Sequence, residues 1–109
     1  MKSLTSLLQS PLTEFGKLDF CYHFLKPEEV VAPYAVWQEQ SETSFHSDNS
    51  KSERFLEGTV DYFTKTESDS NLDSIEAALD AFEATWSLVS VQFEEETYLI
   101  HYSWEWSCS

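Results

Sequence analysis

Three histidines, two cysteines and twenty acidic residues offer most of the chemistry in this sequence of 109 residues. His23, His46, His101, Cys21 and Cys108, with carboxylates to spare, would suit a metal if their spacing brought them together. Local ligand pairs come as C-x2-C or H-x3-H, and neither occurs. Cys21 and His23, two residues apart on what reads as one strand face, are the only local pairing. A nucleophile fares no better. There is no G-x-S-x-G elbow, and the only glycines, Gly16 and Gly58, are too far apart to build a phosphate-cradling loop. Glu94–Glu96 could supply paired carboxylates for acid–base work, but in so acidic a chain such a run reads as a solvated turn. The expectation is therefore no catalytic residue, no metal, no cofactor and no enzyme activity.

Charge narrows the partners. Twenty acidic residues against six basic leave a formal net charge of -14. Binding to phosphates needs a basic surface, so specific nucleic-acid binding is not expected, and an anionic membrane surface is disfavoured for the same reason. No apolar run approaches the roughly 20 residues of a membrane span. The N-terminus MKSLTSLLQS lacks the apolar centre of a signal peptide, and two cysteines make no disulfide framework. These features predict a soluble protein with free thiols that starts in a cytoplasm. Hydrophobic residues make up 41% and aromatics 16%, too much apolar material for a disordered chain. The length suits one domain, residues 1–109.

The elements that must position these residues follow from periodicity. Leu4, Leu7, Leu8 and Leu12 recur at helical spacing over residues 3–15, with Pro11 limiting the helix and Gly16 as a stop. KLDFCYHFL (17–25) alternates, with Leu18, Phe20, Tyr22 and Phe24 on one face and Asp19, Cys21 and His23 on the other. Residues 33–40 and 55–65 read as the second and third strands. Leu72, Ile75, Leu79, Phe82 and Trp86 form one apolar stripe, which predicts a helix over 71–84 with Ser68, Asp69 or Ser70 as its cap. Residues 86–93 and 97–106 complete the sheet, joined by the acidic turn. The order is α-β-β-β-α-β-β. Short links favour antiparallel pairing, and both helices would cover one face, giving an α+β two-layer sandwich with a mostly antiparallel sheet of about five strands and two helices.

Two features fit no plain core reading. Residues 41–54 form a polar excursion far longer than the two to five residues a hairpin needs, with Phe45 in its middle. Such a loop has a job, or is mobile until a partner arrives. In the last strand Tyr98, Tyr102, Trp104 and Trp106 share a face. They read either as core or, for Trp104 and Trp106 near the C-terminus, as anchors that project past it onto a neighbour.

The order of motifs resembles a family of small phage and prophage tail-completion proteins of Gram-positive bacteria. The matching residues are Pro33, Tyr34, Trp37 and Glu39, then Phe45, Asp48 and Asn49 as an F-x-x-D-N element, then Val60, Tyr62, Thr64 and Lys65. Glu95, Glu96, Tyr98 and Tyr102 match the last part. The resemblance covers roughly residues 17–106. It implies a tail terminator or head–tail joining component, a virion structural protein that forms a hexameric ring on the tail tube. Its partners would be further copies of itself, the tube protein and the head connector. Its place would be the head–tail junction, and the host bacterial cytoplasm before assembly. The loop residues Phe45, His46, Asp48 and Asn49 are then candidate interface residues, beside Trp104 and Trp106, which the aromatic pattern of the last strand already suggests. A lumen lined by carboxylates would let DNA pass without sticking. The WEWSCS ending and the acidic balance depart from the pattern. The charge equally suits an acidic interaction module or DNA mimic that occupies a basic site on a host protein.

Overall fold

The computed structural model describes residues 3–46 and 52–109. Its elements are α1 (Leu4–Gly16), β1 (Cys21–His23), β2 (Tyr34–His46), β3 (Ser52–Thr64), α2 (Ser70–Ala81), β4 (Thr85–Glu94) and β5 (Leu99–Cys108). This is the expected α+β order. The five strands form one sheet in the order β1-β2-β3-β5-β4. Three of its four pairings are antiparallel and β1–β2 is parallel. That parallel pair departs from the expectation for consecutive strands. The connection through residues 24–33 carries the chain back to the same end of the sheet, which a tight turn cannot do.

Helix α1 starts where Ser3 accepts a hydrogen bond from the Ser6 amide through its Oγ. It does not end at Pro11 but runs on to Gly16. Leu7, Pro11 and Phe15 form its buried stripe, so packing of the proline ring offsets the backbone hydrogen bond it cannot make. The alternation over 17–25 yields only a three-residue strand. Leu18 and Phe20 sit in a turn closed by the Cys21 amide donating to the Leu18 carbonyl, and Phe24 leaves the strand at φ 70. Cys21, rather than Tyr22, joins Leu18 and Phe20 against the core.

The polar excursion is mostly strand. β2 and β3 stay paired from Tyr34↔Phe63 out to His46↔Ser52, with a bulge between Glu39 and Ser41. Of the loop expected over 41–54, residues 41–46 and 52–54 are strand, and residues 47–51 lie outside the described residues. Beyond Leu56↔Cys108 the β2–β3 ribbon has, among the described residues, no strand on either flank, since β5 has ended and β1 pairs only with Ala35–Trp37. Polarity misled here because strand pairing is made by the backbone, and a ribbon outside the helix-covered sheet needs no apolar alternation to form it.

Both helices pack on one face. Trp37 of β2, Leu56, Val60 and Tyr62 of β3 and Trp104 and Trp106 of β5 meet Leu7 and Phe15 of α1, Ile75 and Leu79 of α2 and Phe82 at the C-cap of α2. Phe15 lies 5.0 Å from Trp37 and 5.4 Å from Phe82, and Phe82 meets Trp106 edge-on at 5.5 Å. Trp104 and Trp106 are 1% and 2% exposed, so they are core residues and do not project past it. Gly58 makes room for them: a Cβ there would fall 2.4 Å from the Trp106 ring and 2.3 Å from the Gln38 carbonyl oxygen.

Candidate interaction surface

The chemically able residues do not converge. His23 lies on the helix-covered face, sandwiched between Trp37 at 3.9 Å and Phe24 at 4.2 Å, with Nε2 2.7 Å from Glu39 Oε1. His101 lies on the opposite, open face. Its Nε2 is 2.9 Å from Asp61 Oδ1, its Nδ1 is 3.6 Å from Glu94 Oε2, and its ring stacks on Phe63 at 4.2 Å. The two imidazoles therefore stand on opposite faces of the sheet. Among the described residues no group of three His, Cys, Asp or Glu side chains is placed to hold a metal ion. Cys21 and Cys108 form no disulfide. Burial pushes the Cys21 thiol up to about 12, which disfavours the reactive thiolate. Cys108 is buried on β5.

The joint between β3 and α2 holds the densest polar network. The Tyr62 hydroxyl donates to Asp69 Oδ2 at 2.6 Å, and the Thr64 hydroxyl donates to the same oxygen at 2.8 Å. Asp69 Oδ1 accepts from the Asn71 amide at 3.0 Å, so Asp69 is the cap of α2. Burial raises the Asp69 pKa, but the hydrogen bonds from Tyr62, Asn71 and Thr64 outweigh it and hold the carboxyl below its ordinary value. Burial first, then the bond to Asp69, pushes Tyr62 up to about 12. Every group in this network is spoken for within the fold, which marks it as architecture.

What is left for a partner is surface. The open face carries the cross-strand row Tyr34–Phe63–His101, with Lys26 Nζ 5.3 Å from the Tyr34 ring centre. Burial, then the Glu94 charge, raises the Tyr34 pKa. Farther along this face stand Glu57, Asp61 and Glu105, and no strand position of the face among the described residues is Lys or Arg. Apolar exposure collects elsewhere. On β4, Leu88, Val89, Val91 and Phe93 are 45–57% exposed, and in the β1–β2 connection Phe24, Leu25 and Val31 are 54–80% exposed.

Of the interface residues expected from sequence, Trp104 and Trp106 are buried. Phe45 and His46 fall on the β2 ribbon opposite Glu53 and Ser52, and Asp48 and Asn49 lie outside the described residues. Sequence reasoning missed the β4 strip. Its one signal is that Thr85–Phe93 carries no charge in a chain of net charge -14.

Among the described residues no helix is long and apolar enough to cross a membrane. The chain matches no family model and no curated protein. In three dimensions it is similar to a chain from the virion of a native gene transfer agent particle. The TM-score is 0.51 at 11% identity, and the match covers 88% of this chain and 80% of the other. At that identity the likeness is one of fold.

Proposed function

We propose that this chain is a virion structural protein of a phage or prophage: a tail terminator or head–tail joining component that forms a ring at the end of the tail tube. The observation that carries this reading is the shared fold with a chain of a gene transfer agent virion, which extends over most of both chains. The motif order from Pro33 to Tyr102 supports it independently. The role is assembly rather than catalysis. The β2–β3 ribbon, flanked beyond Leu56 by no other strand among the described residues, suits reaching the adjacent subunit, the tube or the connector, because an isolated two-stranded ribbon is marginal in water and gains from a partner. The carboxylates of the open sheet face, Glu57, Asp61 and Glu105, suit a surface past which DNA moves without sticking.

Deleting the gene and imaging an induced lysate by electron microscopy tests the reading. Full heads beside unjoined or overlong tails are expected. Normal infectious particles would reject it. They would favour the second reading that the net charge of -14 supports, an acidic mimic that occupies a basic site on a host protein.

A further inference from the structure

We propose that His23 is a pH-sensitive latch on the connection between β1 and β2. While its imidazole is protonated it holds Phe24 in a strained turn, and as that proton leaves it loosens the segment Phe24–Val31. The device does not depend on the ring-forming reading above.

The strain is in the backbone. The Leu25 amide donates to the His23 carbonyl, two residues back, at 2.8 Å, and Phe24 between them has φ 70. This is a γ-turn of positive φ, the rare and strained kind. A bulky side chain stays in that region only where its surroundings impose it. Here they do. The Phe24 amide donates to the Trp37 carbonyl at 2.8 Å, and the Phe24 ring stacks on His23 at 4.2 Å. His23 stacks in turn on Trp37 at 3.9 Å, with the two rings 10° from parallel. Glu39 Oε1, 2.7 Å from His23 Nε2, fixes the rotation of the imidazole.

Past the turn, little else ties the segment down. Among the described residues no backbone hydrogen bond runs from residues 26–31 to another element, and the Val30 amide donates to the Pro27 carbonyl within the segment itself. Leu25 and Val31 are 80% and 79% exposed. The remaining tether is Lys26, whose Nζ lies over the Tyr34 ring. The stack at Phe24 is thus the attachment on which the segment depends.

Charge tightens that stack. Nε2 donates to Glu39 in either state of the ring, so the proton that comes and goes is on Nδ1. With it, the imidazolium meets a carboxylate and lies between two aromatic faces, and both attract a cation. Without it the same contacts are neutral on the imidazole side, and less holds Phe24 against its strain. The neighbouring groups do not offset this. Cys21, on the same face of β1, is kept a neutral thiol by burial. On α1, Glu14 is paired with Lys17. Lys26 of the connection sits on Tyr34, and Arg54 of β3, which lines the same cleft as Glu39, keeps its charge at every pH.

Hydrogen exchange followed by NMR on the full chain across a pH series tests this, with the His23 ring protons read in the same spectra. Protection of the Leu25 and Val30 amides, corrected for the intrinsic rate, is expected to fall several-fold as the pH rises, with the midpoint of the His23 titration. His23→Phe keeps a ring in the stack without the charge and is expected to abolish that pH dependence. Glu39→Gln keeps an acceptor without the charge and is expected to shrink it. His101→Gln, on the opposite face, is expected to leave it unchanged. Protection that stays constant while His23 titrates, a pH dependence that survives His23→Phe, or one that is lost in His101→Gln would each overturn the proposal. Should His23→Phe not fold, Glu39→Gln carries the test, and an undiminished pH dependence there is the overturning result.

Discussion

Strands β4 and β5 lie side by side, are ten residues long each, and carry similar apolar content, yet they meet different fates. On β5, Trp104, Trp106 and Cys108 vanish beneath the helices, while on β4 Leu88, Val91 and Phe93 stay about half exposed on the same side of the sheet. Composition does not separate them; position does. β5 is flanked by β3 and β4 and roofed by α2, whereas β4 is an edge that α2 reaches only at Trp86. Apolar surface buried in the monomer stabilises the fold. The same surface left on an edge stabilises the fold only when something else covers it.

The sharpest way to break that comparison is Trp104→Ala. It removes a fully buried ring and leaves Glu76, which accepts from Trp104 Nε1 at 2.9 Å, without that donor. A loss of about 3–5 kcal/mol is expected in chemical denaturation. Gly58→Ala follows. A methyl group there collides with the Trp106 ring and with the backbone of β2, and only the ring can give way. The expected cost is about 1–3 kcal/mol, the range for overpacking a core.

Asp69→Asn asks less of stability and more of pH. Asparagine can still cap the helix through Oδ1, but its Nδ2 cannot accept from the Tyr62 and Thr64 hydroxyls as Oδ2 does, so the neutral-pH cost is expected to be about 1–2 kcal/mol. The Asp69 pKa is lowered in the folded chain, so its share of stability is present at neutral pH and is lost as the pH falls from the ordinary Asp value through the depressed one. Acid also relieves the self-repulsion of a strongly negative chain, which acts in the opposite direction. The quantity to measure is therefore the difference between wild type and variant across the acid limb. It should shrink as the pH falls, and a constant difference would mean that the carboxylate is not what the network holds.

Much of the fold was legible because burial writes periodicity. The stripe from Leu72 to Phe82 named α2, and the alternation of Tyr102, Trp104 and Trp106 named β5. Where one side is not buried, the signal fails. The ribbon beyond Leu56 is paired only β2 to β3 among the described residues and its sequence is polar, so its strands read as loop. β1 failed in the opposite way: the Leu18–Cys21 turn claimed half of the alternating run and left Cys21 and His23, not Tyr22 and Phe24, on the helix-covered face. The surface was the least legible. Trp104 and Trp106 drew notice as large aromatics near the chain end, yet whether a ring is core or anchor depends on whether a helix lies over it. The β4 strip was spelled in the same letters as a core strand, and only the order of strands in the sheet shows it to be an edge.

The smallest expected effect is also the most discriminating. Phe93→Ser removes an apolar ring that is 57% exposed in the single chain, so monomer stability should stay within about 0.5 kcal/mol of wild type at low concentration. A ring that serves the fold would cost several times as much, as at Trp104. Phe93 meets Tyr98 edge-on at 6.3 Å, and that contact between two exposed rings is worth little once water can replace it. If β4 is a surface held in reserve, the cost should instead appear as the concentration rises, where the wild type gains stability by mass action and the variant does not. Denaturation midpoints that diverge with protein concentration would place the function of Phe93 between chains. Midpoints that differ equally at all concentrations would return β4 to the company of β5, as a strand whose apolar residues serve the monomer alone.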